Sequence, residues 1–186
     1  MKPHGPWQIL NSKIAYQTPY LHVTEDQVLR PDGKPGIFSI VHFKPGVSVL
    51  PIDEQNNVYL TEEFKYALGR NSLEVVSGAI EENEPILNAA KRELKEELGI
   101  RAQHWIDLGT LHPFTSAVNS PAYLFLAKDL TFTTTNPEGT EQIKMIKKPL
   151  NQAIQLVLDS QITQGQSVAL ILKAKAYLET EKKKDI

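Results

Sequence analysis

The densest set of reactive side chains lies between Gly78 and Ile100 (GAIEENEPILNAAKRELKEELGI), which carries Glu84, Arg92, Glu93, Glu96 and Glu97. Leu87, Ala90, Leu94 and Leu98 recur at helical intervals and predict one apolar stripe. At roughly 100° per residue, Glu93, Glu96 and Glu97 then share an arc of about 100° beside that stripe. Like charges three and four residues apart destabilise an isolated helix by roughly 0.2–0.5 kcal/mol per pair. A divalent cation would offset that repulsion. Hard ions take oxygen ligands, and Mg²⁺ binds through a few carboxylates while keeping water and substrate phosphate. Arg92 adds a planar cationic fork able to hold a neighbouring carboxylate in one rotamer. The alternative is a solvated Glu/Lys helix face, the more frequent meaning of such runs.

The elements around this stretch must position it. Glu84-Pro85 reads as a helix entrance and Gly99 as a left-handed stop, with Ile100 free to fold back on the last turn. Strand signals occur at 7–10, 13–16 and 21–23, with Val28-Leu29 following an acidic turn at Glu25-Asp26, then at Ile37 to Phe43. Gly46 to Ile52 and Asn57 to Phe64 predict a hairpin across Asp53-Glu54-Gln55-Asn56. Leu73 to Val76 leads into Gly78. Further strands are predicted at Ile106 to Leu111, Ala122 to Ala127 and Gln142 to Lys147. Helices are expected at Leu150 to Leu158 and Ser167 to Leu178. Strands alternating with three helices predict an α+β or mixed α/β domain, with helices covering a mixed sheet.

The Gly78–Ile100 stretch resembles, at every defined position, the box of the Nudix hydrolases, G-x5-E-x7-R-E-U-x-E-E-x-G-U with U aliphatic. From average composition, a chance match in a chain of this length is expected less than about once in a million. The order of NVYLTEEFKYALGR, SLEVVSG, LHPFTSAVNSPAYLFLA and EQIKMIKKPLNQAIQLVLDSQI is similar to the ADP-ribose pyrophosphatase branch, where a proline follows the box near the position of Pro113. The resemblance implies an α/β/α sandwich around a mixed sheet, with an extra N-terminal antiparallel β segment that promotes dimerisation. On that reading, 1–43 form the β segment and 44–186 the hydrolase domain.

The same resemblance implies roles. Glu93 and Glu97 would be the principal metal ligands, Glu96 a further one, and the backbone carbonyl of Ser77 another. The ion would be Mg²⁺, with Mn²⁺ as a substitute. Glu84 would act from behind, and Arg92 would orient carboxylates. The general base in this branch is a glutamate on a distant loop, which points to Glu141 and then Glu138 in FTTTNPEGTE; other branches use an acid of the box, so Glu93 competes. Lys65 and Arg70 are candidate phosphate contacts, although Lys replaces an Arg common in relatives and loses its bidentate geometry. Glu74 is a candidate for the sugar, Ser116 and Asn119 for substrate generally. Trp7 and Phe38 stand where relatives place aromatics that sandwich an adenine, often across subunits; core packing accounts for such residues as readily.

Composition narrows the function classes. The chain has 186 residues, 41% of them hydrophobic, enough for a sizeable core. A net charge of −2 gives no general attraction to nucleic acid or an anionic membrane, and the absence of cysteine excludes disulfides and thiolate metal sites. MKPHGPWQIL lacks the apolar run of a signal peptide, so a cytoplasmic protein is expected. The resulting expectation is Mg²⁺-dependent hydrolysis of ADP-ribose or a related nucleoside diphosphate sugar to AMP and a sugar phosphate, by a homodimer. The alternatives are a Nudix hydrolase for a GDP-sugar or dinucleotide, or a non-catalytic module that senses ADP-ribose.

Overall fold

A computed structural model of the chain describes residues 1–135 and 142–184. The elements in order are β1 (Lys2–His4), β2 (Trp7–Gln17), β3 (Leu21–Leu29), β4 (Pro35–Phe43), β5 (Gly46–Pro51), β6 (Asn57–Lys65), β7 (Arg70–Glu74) and β8 (Val76–Ala79). There follow α1 (Ile86–Leu98), β9 (Ile100–Leu111), β10 (Val118–Asn119), β11 (Ala122–Phe132), β12 (Lys144–Pro149), α2 (Leu150–Leu158) and α3 (Gly165–Lys184). The chain divides into two compact units, Met1–Pro45 with His112–Pro121, and Gly46–Leu111 with Ala122–Ile186.

The first unit is a five-stranded sheet in the order β1-β2-β3-β4-β10, antiparallel except where β10 joins β4. Two short strands expected near the N-terminus are one long strand, β2, kept in register with β3 by irregularities between Ile9 and Asn11 and between Ile14 and Tyr16. The acidic turn expected at Glu25-Asp26 is not a turn. Both residues lie inside β3, Glu25 paired with Lys13 at 2.8 Å and Asp26 buried. Cross-strand partners override the local preference of adjacent acids for turns.

The second unit is built on a four-stranded mixed sheet, β8-β5-β11-β9, in which β5 and β11 run parallel. Alternation along β11 sends Leu124 and Leu126 into one core and Phe125 and Ala127 into the other, because successive strand side chains point to opposite faces. The first core receives Leu150 and Ala153 of α2 with Leu170, Ile171 and Ala174 of α3; the second receives Ala89, Ala90, Leu94 and Leu98 of α1. The antiparallel sheet β12-β6-β7 contributes Leu60 to the first core and Tyr59 to the second. This is the expected layering of helices on both faces of a mixed sheet.

The helix that carries the acids starts one residue later than Pro at a first helical position would give. Pro85 is the N-cap, extended at φ −61° and ψ 137°, and no side chain caps it. Its buried face is Ala89, Ala90, Leu94, Glu97 and Leu98, so the expected Leu87 is replaced by Ala89. Burying Leu94 and Leu98 contributes roughly 1.5–3 kcal/mol each. The helix ends on Gly99 at φ 61° and ψ 28°, whose N–H closes back on the Leu94 and Lys95 carbonyls. Ile100, fully buried, begins β9 at once, six residues earlier than its apolar pattern indicated.

Candidate active site

α1 and the β8 strand end meet at one point of close approach. An ideal Cβ on Gly78 would lie 1.9 Å from the Glu93 side-chain carboxyl carbon and 2.0 and 2.3 Å from its oxygens. Only a residue without a side chain leaves room for that carboxylate against the strand. Gly78 is itself held by pairing with Val47, while Ser77 pairs with Ser48. The glycine of the motif thus serves as the floor under one acid.

Arg92 joins the remaining acids. Its Nε donates to Glu84 Oε1 at 2.9 Å and its Nη2 to Glu84 Oε2 at 3.0 Å, a bidentate pair. Nη1 donates to Glu93 Oε1 at 2.7 Å and to Glu96 Oε2 at 3.1 Å, and Nη2 also reaches the Ala79 carbonyl at 2.9 Å. Glu84 is fixed in turn by the Glu81 N–H at 3.0 Å. The hydrogen bonds from Arg92 hold the Glu84 carboxyl below its ordinary pKa, against burial. Reciprocally, Glu84 first and then Glu93 and Glu96 raise the guanidinium's pKa despite desolvation. Arg92 therefore stays charged and locks the loop before α1 to the helix itself.

Glu97 points inward from the same helix and is only 9% exposed. Lys65, at the end of β6, is ion-paired with Glu63. Burial works against its ammonium, but the Glu63 hydrogen bond and the charges of Glu74, Glu63 and Glu97 outweigh it and raise the pKa. A fixed positive charge therefore stands within electrostatic reach of the acidic helix. Glu74 is buried in β7. Arg70 faces Lys65 across the β6–β7 pair, but its guanidinium is engaged at 3.3 Å by the Thr163 hydroxyl and by the Asn71 carbonyl.

Among the described residues no three acids or histidines converge as a preformed cation cage. Glu93 and Glu96 reach one guanidinium nitrogen, and Glu97 lies one residue further on the same helix. That donor set fits a hard ion which takes one or two carboxylates and completes its shell with water and phosphate oxygens. Trp7, Phe38, Ser116 and Asn119 belong to the first unit. The Trp7 and Phe38 rings touch edge to face, centroids 5.7 Å apart, so a base does not fit between these two within one chain. Glu138 and Glu141 lie outside the described residues.

Two features had no signal in the sequence. Thr133 binds the Gly99 carbonyl through its N–H at 2.6 Å and its hydroxyl at 3.0 Å, clamping the end of β11 to the stop of α1. Asp53 gathers the turn between β5 and β6, which join different sheets and meet through an isolated Ile52–Val58 bridge instead of the expected hairpin: the Asn57 N–H (2.8 Å), the Tyr59 hydroxyl (3.0 Å) and the Lys147 ammonium (2.9 Å) all converge on it. Burial acts to raise its pKa, but Lys147, then Asn57 and Tyr59, hold it well below the carboxylate range.

With this geometry, comparison with known proteins defines the class. Residues 42–161 match the NUDIX domain, and residues 7–41 match the nucleoside diphosphate sugar hydrolase N-terminal domain. The chain belongs to the NUDIX domain family. It is similar to the ADP-ribose pyrophosphatase of Bacillus subtilis (strain 168), 24% identical over 84% of this chain and 87% of that one. It is also similar to the ADP compounds hydrolase NudE of Escherichia coli (strain K12), 26% identical over 73% and 72% of the two chains. A crystal structure of an ADP compounds hydrolase shares its fold, with a TM-score of 0.84 and 21% identity over 97% of this chain and 98% of that one. The protein is a Nudix hydrolase resembling ADP-ribose pyrophosphatases, a membership that supports pyrophosphate hydrolysis; such enzymes generally use divalent metal ions. Among the described residues no helix is long and apolar enough to cross a membrane.

Proposed function

We propose that the protein hydrolyses the pyrophosphate bond of ADP-ribose, or of a related nucleoside diphosphate sugar, in a Mg²⁺-dependent reaction giving AMP and a sugar phosphate. The observation that carries this reading is the seat of Glu93, whose carboxylate occupies the space over Gly78 that any side chain would fill and is tethered there by Arg92. Glu93 and Glu97, with Glu96 and the Ser77 carbonyl, would hold the cation. When bound, Mg²⁺, or Mn²⁺ in its place, supplies positive charge against the diphosphate and makes water more acidic. Arg92 keeps Glu93 and Glu96 oriented, so no reorganisation is needed as charge develops. Lys65 remains protonated and offers a donor to a phosphate oxygen, and Arg70 a second cation. A carboxylate base takes the proton of the attacking water. Glu141 is assigned that role, with Glu138 as runner-up and Glu93 as the competing choice within the box. The water oxygen adds to one phosphorus as the bond to the bridging oxygen breaks, and the other phosphate leaves with that oxygen. Glu74 is assigned to the sugar side, Ser116 and Asn119 to substrate generally, and Trp7 and Phe38 to the base.

The test is a panel of ADP-ribose, a GDP-sugar and a dinucleotide hydrolysed in heavy-oxygen water with Mg²⁺, using the natural chain and Glu97→Gln. The expected result is fastest turnover of ADP-ribose, one label per product pair, and loss of at least about 100-fold in the variant. Absence of Mg²⁺-dependent turnover of every diphosphate, or a fully active variant, would refute the proposal.

A further inference from the structure

In the second unit, α1 and the start of β9 flank a cavity of about 450 Å³ lined by Lys91, Arg92, Lys95, Glu96, Arg101, Ala102 and Trp105. Its charge is unbalanced. Arg92 is offset by Glu84, Glu93 and Glu96. Lys91, Lys95 and Arg101 are exposed, and among the described residues no carboxylate or hydrogen-bond partner meets their side chains. Elsewhere in the same unit Lys65, Lys144, Lys147 and Lys175 are each paired with an acid. Lys91 and Lys95 stand one helical turn apart, an arrangement that lowers the stability of a helix. Three uncompensated positive charges thus gather at one cavity of a chain whose net charge is −2.

Trp105 gives the cavity its large apolar wall. Its Nε1–H donates to the Ala102 carbonyl at 3.0 Å, and its ring meets Phe125 edge to face, centroids 6.2 Å apart. The indole is therefore held in place with its one donor used, and what it offers a ligand is ring surface. The volume falls within the range of small-molecule sites, roughly 300–1,000 Å³, and exceeds what a lone inorganic anion fills. An inorganic anion would satisfy the cations and leave the indole bare. An uncharged ring would cover the indole and leave the cations unpaired. A planar ring joined to several negative charges satisfies both.

We propose that this cavity is a second nucleotide site: the phosphates of a nucleoside diphosphate lie among Lys91, Lys95 and Arg101, and its base stacks on Trp105. The Arg101 guanidinium can meet a phosphate with two parallel N–H bonds, while the two lysines act as point charges. Stacking on an aromatic side chain is tolerant of base identity, so the site selects a class of ligand and not one base. Arg92 and Glu96 border the cavity, but no role in pyrophosphate hydrolysis assigned above falls on Lys91, Lys95, Arg101 or Trp105. The inference does not depend on the catalytic reading.

The chain has two tryptophans, so Trp7→Phe leaves Trp105 as the sole indole reporter. That variant is titrated with ADP in buffer without divalent ions, and Trp105 fluorescence is followed. The expected result is saturable quenching. Adenosine, which keeps the ring and lacks the charges, should bind at least about tenfold more weakly. Pyrophosphate, which keeps the charges and lacks the ring, should displace ADP without quenching. Adding Arg101→Ala, or Lys91→Ala with Lys95→Ala, should raise the Kd for ADP about tenfold, with folding checked by thermal melting. Added salt should weaken binding, because exposed charges are screened. Absence of saturable quenching, equal binding of adenosine and ADP, or failure of pyrophosphate to displace ADP would overturn the inference. So would a Kd that stays within about twofold in both charge variants or is insensitive to salt. The first three outcomes need none of the charge variants and so do not depend on their folding. Mg²⁺-dependent turnover by the natural chain is scored apart from these titrations, so the failure of either reading leaves the other standing.

Discussion

Replacing Gly78 by Ala is the sharpest probe of the site, because the structure assigns the change to one atom. The added Cβ would sit 1.9 Å from the Glu93 carboxyl carbon, and ordinary contact begins near 3.4 Å. The carboxylate must therefore retreat by about 1.5 Å. Gly78 does not use a left-handed backbone, so alanine meets no conformational penalty there. Restricting the unfolded chain contributes about 0.4–1 kcal/mol in favour of folding, which offsets part of the lost Arg92–Glu93 bond. Arg92 retains Glu84, Glu96 and the Ala79 carbonyl. Stability should thus change by no more than about 1 kcal/mol, or about 4 °C in Tm for a chain of this size. A misplacement of about 1 Å at a reacting centre can lower the rate by about 100-fold. The expected outcome is a kcat/KM for ADP-ribose reduced about 100-fold or more at saturating Mg²⁺, with Tm nearly unchanged. Initial rates and a thermal melt suffice. Activity within about threefold of the natural chain would show that the Glu93 seat is not needed for chemistry.

Gly99→Ala should act in the opposite way, destabilising by roughly 2 kcal/mol or more, because its φ is +61° and the new Cβ would lie 2.4 Å from the rigid Thr133 carbonyl; urea unfolding measures it, and an unchanged midpoint would refute the clamp. Asp53→Asn should destabilise the chain by about 1.5–3 kcal/mol at neutral pH. The folded pKa of Asp53 is lowered, so its contribution is full above the ordinary value near 3.8 and is lost as pH falls below it. The difference from the natural chain should therefore shrink progressively as pH falls below about 4 in denaturation curves, and a constant difference would refute the role of charge. We also propose that the first unit, with 1–43 at its centre, joins two copies of the chain, since Leu10, Ile14, Tyr16, Ile37 and Phe43 expose apolar surface on its strands. Sedimentation at micromolar concentration should show a dimer, and monomer alone would remove that proposal.

Much of the architecture was readable from local pattern. The α1 stripe, the Asp53–Asn56 turn, the Gly99 stop and the three helices follow from periodicity and turn chemistry, which are properties of neighbouring residues, whereas the expected hairpin across that turn does not form, because β5 and β6 join different sheets. Boundaries failed where pairing partners decided them. Glu25 and Asp26 are strand residues because Lys13 and Ser12 lie opposite in β2, and β9 starts at Ile100 because β11 runs alongside it as far as Phe132.

The site divides along the same line. Helical spacing alone puts Glu93, Glu96 and Glu97 on one side of α1, since a turn of helix is a short-range geometry. It does not say what lies beneath that side. The β5–β8 pairing brings the backbone of Gly78 under Glu93, and the loop closed by Glu81 and Glu84 delivers a carboxylate to Arg92. The crowding of donors around Asp53 likewise exists only once distant strands and loops have met. Short-range geometry is written in residue order, whereas contacts across a sheet depend on which strands pair and in what register.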